Sequence, residues 1–174
     1  MVSEELLVQQ LQAPTTQASA FQLLVNTYKE RLYWHIRRIV VDHDDTDDIL
    51  QNTFIKIFRN IGGFKGESKL YSWMYRIATN EALSFMKEKT RKLGNNDMEV
   101  QQKLIENLES DFIQLQLQKA LATLPEKQKL VFNMKYFEEL KYEEISEILE
   151  TSVGALKASY HLAVKKIESF LIEN

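Results

Sequence analysis

Between Ala18 and Val41 the apolar residues Phe21, Leu24, Val25, Tyr28, Leu32, Ile36 and Ile39 recur three and four positions apart, the repeat of one helix face turned to a core. The pattern stops at the polar run from Asp42 to Asp48 and resumes with Ile49, Leu50, Phe54, Ile57 and Phe58. The Asp-rich start of this second stretch suits the positive end of a helix dipole. IGGF at 61–64 breaks it. After a short polar loop, Trp73, Ile77, Leu83 and Phe85 mark a further long helix from Tyr71 to about Arg91.

GNND at 94–97 opens a stretch with one Lys against five acids through Asp111, read as a linker with some helix. Beyond Ile113 three helices are legible. LPEKQKLVFNMKYF places Pro125 at a helix start, where its missing N–H costs nothing. YEEISEIL at 142–149 carries acids in its first turn, and Thr151 and Ser152 supply an N-cap for a helix from Val153 to about Ile172. Helix, three-residue turn, helix is a helix-turn-helix. The organisation predicted is all-α, with two small helical domains at 1–92 and 113–174 joined by a linker at 93–112.

Composition supports helices. Five Gly and two Pro leave little material for the turns of an all-β protein. There is no Cys, so no disulfide framework or thiolate metal site exists. The N-terminus MVSEELLVQQLQ lacks the features of a secretory signal, and no window reaches the roughly 18 to 20 apolar residues of a membrane span. A soluble cytoplasmic protein without membrane insertion is the expectation.

The net charge of -3 is awkward for a nucleic-acid binder until its distribution is considered. Residues 42–48 carry five Asp and no base, whereas residues 65–92 carry seven bases against three acids, a balance of +4. His35, His43 and His161 are dispersed, and no phosphate-cradling Gly loop or calcium loop is present, so no cofactor, no metal and no catalytic group is expected.

In the helix-turn-helix, Ile145, Ile148, Leu149, Val153, Leu156, Tyr160, Ile167 and Phe170 form the inward stripe. Ser152, Val153, Gly154, Ala155, Lys157, Ala158, Ser159, His161 and Lys165 lie at the start of the second helix or on its outward face, where a recognition helix meets base edges.

The segment LPEKQKLVFNMKYFEELKYEEISEILETSVGALKAS resembles the fourth conserved region of bacterial sigma factors, which reads the minus-35 promoter element. FQLLVNTYKERLYWHIRRIV, DDTDDILQNTFIKIFRNIGGF and KLYSWMYRIATNEALSFMKEKTRK resemble, in order, the second region, which binds core polymerase and opens the minus-10 element. The chain is similar to the small extracytoplasmic-function (ECF) sigma factors of the sigma-70 family, which lack the middle region of larger relatives. That resemblance implies a non-catalytic transcription-initiation factor whose partners are core RNA polymerase, promoter DNA and an anti-sigma factor.

It further implies that Asp45, Asp48, Gln51, Asn52 and Ile55 dock on a coiled coil of the polymerase largest subunit. Spacing agrees, since Asp48, Gln51 and Ile55 share a strip, although the acids could equally cap and solvate their own helix. For the minus-10 element it points to Phe64, Lys65, Ser68, Lys69, Tyr71, Trp73, Tyr75, Arg76, Asn80 and Lys87. Aromatic faces stack on unpaired bases for about 1 to 3 kcal/mol each, and cations follow the backbone. Two readings stand for Trp73, a stacking platform or a core residue beside Ile77, and two for Lys87, a phosphate contact or a solvated helix end. Three departures from the family pattern are visible. Ser159, Leu162 and Val164 stand where many relatives have Arg, Glu150 where Gly is common, and Lys141 where a capping Ser or Thr is common.

Overall fold

The computed structural model describes residues 2–94 and 112–174, and among these there are eight α-helices and no strand. The first four are α1 (Glu4–Gln12), α2 (Gln17–Val40), α3 (His43–Asn60) and α4 (Leu70–Leu93), with a 3-10 turn at Ile61–Gly63. The second group is α5 (Phe112–Ala122), α6 (Glu126–Phe132), α7 (Tyr142–Leu149) and α8 (Val153–Glu173). A π turn at Asn133–Phe137 follows α6. The expected linker at 93–112 is overlapped by α4 at one end and α5 at the other, and 95–111 lies outside the described residues.

Local chemistry sets the helix ends. Ser3 Oγ accepts from the Leu6 N–H at 3.2 Å and starts α1, and Asp42 accepts from the Asp45 N–H at 2.9 Å and starts α3. Gln12 then ties α1 down, its amide donating to the carbonyls of Ile61 at 3.0 Å and Phe64 at 2.9 Å. At the far end of α4, Gly94 takes φ +66°, the left-handed stop that glycine adopts at no steric cost. The fourth helix begins one residue earlier and ends two later than its apolar pattern indicates, since its polar last turn carries no periodic residue.

Most of the repeats seen in the sequence enter the core, but Phe58 is exposed and the α4 stripe of Trp73, Ile77, Leu83 and Phe85 is only half-buried, because that helix turns Leu70, Met74, Tyr75, Ala78, Ala82 and Met86 inward. Leu11, Leu24, Leu32, Ile36, Ile57, Leu70 and Met74 are wholly buried, each contributing about 1.5 to 3 kcal/mol of apolar transfer. That cluster does not stop at α4. It runs on through Leu130, Val131, Met134, Ile145, Ile148 and Leu156, so the two helical groups share one apolar interior along the α4–α7 contact. A second cluster of Leu121, Leu124, Phe132, Ala163 and Ile167 fastens α5, α6 and α8 together.

Candidate nucleic-acid interface

The α3 helix presents two faces. Thr46, Ile49, Leu50, Thr53, Phe54 and Ile57 are buried, leaving Asp48, Gln51, Asn52 and Ile55 exposed on the opposite side. Ile55 is 42% exposed, an apolar residue in an otherwise polar strip. Asp45 is set apart from the other four, because its carboxylate accepts from Lys89 Nζ of α4 at 2.5 Å.

The loop before α4 and its first turns hold the aromatic and basic candidates. Gly66, at φ +73°, allows the loop to turn. Trp73 is half-buried, packed against the loop with its ring 5.2 Å from that of Phe64. Lys65, Lys69, Asn80 and Lys87 are exposed, and Ser68 is half-buried.

Tyr71 and Tyr75 are placed differently from the other aromatic candidates. Both are buried, Tyr75 to 1% exposure, with ring centroids 4.7 Å apart, and neither presents a face for a base in this conformation. Four residues apart, they lie on the side of α4 that also carries buried Met74, Ala78 and Ala82. Burial pushes both phenols well above the usual tyrosine range, with the Glu138 charge adding to the effect at Tyr75, so both stay neutral.

Arg76 is engaged rather than open. Its Nε and Nη2 donate to the Glu147 carbonyl at 3.2 and 2.6 Å, and Nη1 lies 3.6 Å from Glu150. The guanidinium thus caps the C-terminal end of α7, where carbonyls lack helical partners. Seven residues earlier, at the start of α4, Lys69 Nζ lies 3.3 Å from Glu144.

The α7–turn–α8 unit is built around Glu150, which takes φ +51°, ψ +44°. This left-handed turn is a conformation that glycine would adopt without a Cβ penalty. Ser152 Oγ accepts from the Ala155 N–H at 3.3 Å and caps α8. Lysine at 141 has no side-chain acceptor to cap α7, but Glu144 accepts from the Lys141 N–H at 2.9 Å, which makes half of a capping box. Burial pushes the Glu144 carboxyl up, while that hydrogen bond and Lys69 pull it below its ordinary value. Leu156, Ala163 and Ile167 anchor α8. Ser152, Gly154, Ala155, Lys157, Ala158, His161 and Lys165 are exposed, and Val153 and Ser159 are half-buried. Lys157 also lies 5.7 Å from the Tyr142 ring centroid, which links the recognition face to α7.

Sequence reading missed one polar centre altogether. Glu138 is buried between the two helical groups and accepts from His35 Nδ1 at 2.8 Å, with Arg38 Nη1 at 3.7 Å. His35 Nε2 meets Thr79 Oγ1 at 2.7 Å. The partners stand 103 positions apart and carry no spacing signal. An apolar groove lined by Phe112, Ile113, Leu117, Tyr136, Val164 and Leu171 was also not foreseen. No helix among the described residues is long and apolar enough to cross a membrane.

Comparison with known proteins gives this geometry a family context. Residues 24–92 match the family model described as Sigma-70 region 2, and residues 114–167 match Sigma-70, region 4. The chain is 30% identical over 164 residues to the ECF RNA polymerase sigma-E factor of Haemophilus influenzae, covering 86% of each chain. It is 29% identical over 166 residues to the RNA polymerase sigma-H factor of Pseudomonas aeruginosa, covering 87% of this chain and 86% of that one. Among solved structures, CnrH in complex with the cytosolic domain of CnrY has the same fold, with a TM-score of 0.74, 19% identity and 98% of each chain covered. The sigma factor RpoE of Bartonella quintana, solved with the anti-sigma factor NepR, has a TM-score of 0.69 at 19% identity, covering 87% of this chain and 96% of that one.

Proposed function

This chain belongs to the sigma-70 family, in its extracytoplasmic-function group, and from that premise we propose how its surfaces divide the work of promoter-specific transcription initiation. Residues 1–92 form the unit that docks on core polymerase and opens the minus-10 element. Residues 113–174 form the minus-35 reader, and 93–112 join them.

The observation that carries the reading is the segregation of exposed surface. The α3 strip of Asp48, Gln51, Asn52 and Ile55 is acidic and polar with one apolar residue, which suits a basic partner helix and repels DNA. The start of α8 is different. It exposes a capped helix N-terminus, small residues, Lys157 and His161, and these fit a major groove closely. The Phe64–Trp73 pair, with Lys65 and Lys69 in the preceding loop and Arg76, Asn80 and Lys87 further along α4, supplies stacking faces and cations for an unpaired strand. Tyr71 and Tyr75 serve this region by packing.

A net charge of -3 weakens autonomous duplex binding, but a subunit tethered to polymerase gains effective concentration and tolerates it. An anti-sigma factor is the remaining proposed partner, as NepR is for RpoE. These assignments are tested by selecting bound duplexes from a random pool, with the chain alone and with core polymerase. A two-part motif enriched only with core supports the division. Equal enrichment by the chain alone would identify a self-sufficient helix-turn-helix regulator instead.

A further inference from the structure

The loop that carries Phe64, Lys65, Ser68 and Lys69 has little of its own to hold its shape. Among the described residues the N–H groups of 65–68 donate to no backbone carbonyl, Gly66 sits at φ +73°, and Lys65, Gly66, Glu67 and Lys69 are exposed. A pocket that discriminates among unstacked bases needs fixed walls, because ordering a loose loop around each base costs affinity and blurs the difference between them. The fixing comes from α1. Gln12 Nε2 carries two hydrogens, and they donate to two carbonyls where the loop begins, those of Ile61 at 3.0 Å and Phe64 at 2.9 Å. Where the loop ends, Glu4 Oε1 accepts from the Leu70 N–H at 3.0 Å. Leu70 is the first residue of α4, and Lys69 before it makes no side-chain cap, so Glu4 supplies from another helix the cap that α4 lacks.

Glu4 and Gln12 stand eight residues apart, about 12 Å along a helix axis. The helix between them is anchored without help from the loop. Ser3 caps it, Leu7 and Leu11 are buried in the main cluster, and the Thr16 hydroxyl donates to the Gln10 carbonyl at 2.8 Å where the chain turns into α2. A short rigid element thus holds both ends of the loop. We propose that α1 clamps the minus-10 loop, with Glu4 and Gln12 as positioning residues that sharpen discrimination among minus-10 bases by acting through the loop. The Phe64 carbonyl held by Gln12 belongs to the residue whose ring packs on Trp73 at 5.2 Å, so the same bond steadies the stacking pair. The proposal rests on the assignment of this loop to the minus-10 element.

The test uses core polymerase with the full chain carrying Gln12→Leu, Glu4→Ala or both. Initiation is measured on the selected two-part motif and on templates with one base changed in either half. Glu5→Ala, which removes an exposed acid from the same turn of α1, is the control, and Lys65→Ala with Ser68→Ala alters the loop directly. A single-base change in the minus-10 half, which costs a specific reader about tenfold, should cost the double variant only about twofold. The penalty for changes in the minus-35 half should match the parent's, and Glu5→Ala should keep both penalties. A purely structural loss lowers initiation on every template in proportion and leaves the minus-10 ratio intact. That outcome in the α1 variants, where the loop variant does change the ratio, overturns the clamp; so does an equal loss of discrimination in both halves. An unchanged ratio in the α1 and loop variants alike overturns the minus-10 assignment, and the clamp falls with it. Should the double variant fail to fold, Gln12→Leu alone is read by the same ratios.

Discussion

Glu150 takes a left-handed conformation that costs a residue bearing a Cβ about 1 kcal/mol or more. Its ion pair with Arg76, an exposed contact at 3.6 Å, contributes little against that cost. Glu150→Gly should therefore raise the stability of the helix-turn-helix by up to about 1 kcal/mol, read as a higher thermal midpoint; a lower midpoint would show that the Arg76 contact outweighs the strain. Glu144 gives a pH-dependent counterpart. Its carboxyl titrates below the ordinary value of 4.5 in the folded chain, so its contribution is present above that value and is lost as pH falls through the folded one. Urea titrations of Glu144→Gln should show a loss of up to about 1 kcal/mol at pH 7 that shrinks toward zero at pH 3. A loss independent of pH would mean that the carboxylate charge is not what stabilises the cap.

At the level of helices, periodicity located the elements. Most of Phe21 to Ile39, Ile49 to Ile57 and Ile145 to Ile167 turned inward, and the ends of these helices follow stops that chemistry enforces: Asp42 as a cap, the glycines after Ile61, Ser152 as a cap. Phe58 stayed exposed, and in α4 the small residues Ala78 and Ala82 took the core face that the stripe of Trp73, Ile77, Leu83 and Phe85 had claimed. Periodicity could not assign Tyr71 and Tyr75, since an aromatic pair one turn apart fits a core and a stacking surface alike, and only their neighbours across the fold, with Arg31 over Tyr71 and His35 beside Tyr75, decide between them. It was equally silent on Asp45, whose place in the acidic run conceals its ion pair with Lys89. The α3 strip belongs to this scale too. Replacing Asp48 with Lys and Gln51 with Ala removes charge and a hydrogen-bonding group from an exposed face without touching the core, and should weaken association with core polymerase about tenfold while leaving the unfolding midpoint within about 1 °C. Unchanged association would remove α3 as the docking face.

For the whole molecule, one chain carries an acidic and polar strip on α3, an aromatic and basic surface, and a helix-turn-helix, with its helical groups folded against each other. The fold class and the order of the two regions could be read from the sequence, because each helix declares itself locally. Their mutual packing could not, because His35 and Glu138, or Arg76 and Glu147, find each other across distances in the chain that no repeat encodes. Residues that read as DNA contacts in the sequence are partly internal contacts, so Arg76→Gln is expected both to loosen the packing of α7 on α4 and to impair initiation.

The most direct test of the central claim is run-off transcription with purified core polymerase on templates carrying the two-part motif recovered from the random pool. A transcript of defined length that requires the chain, the core enzyme and both halves of the motif is the predicted result. Core polymerase that yields no promoter-specific transcript with the chain present, while the chain binds the same DNA equally well alone, would contradict it.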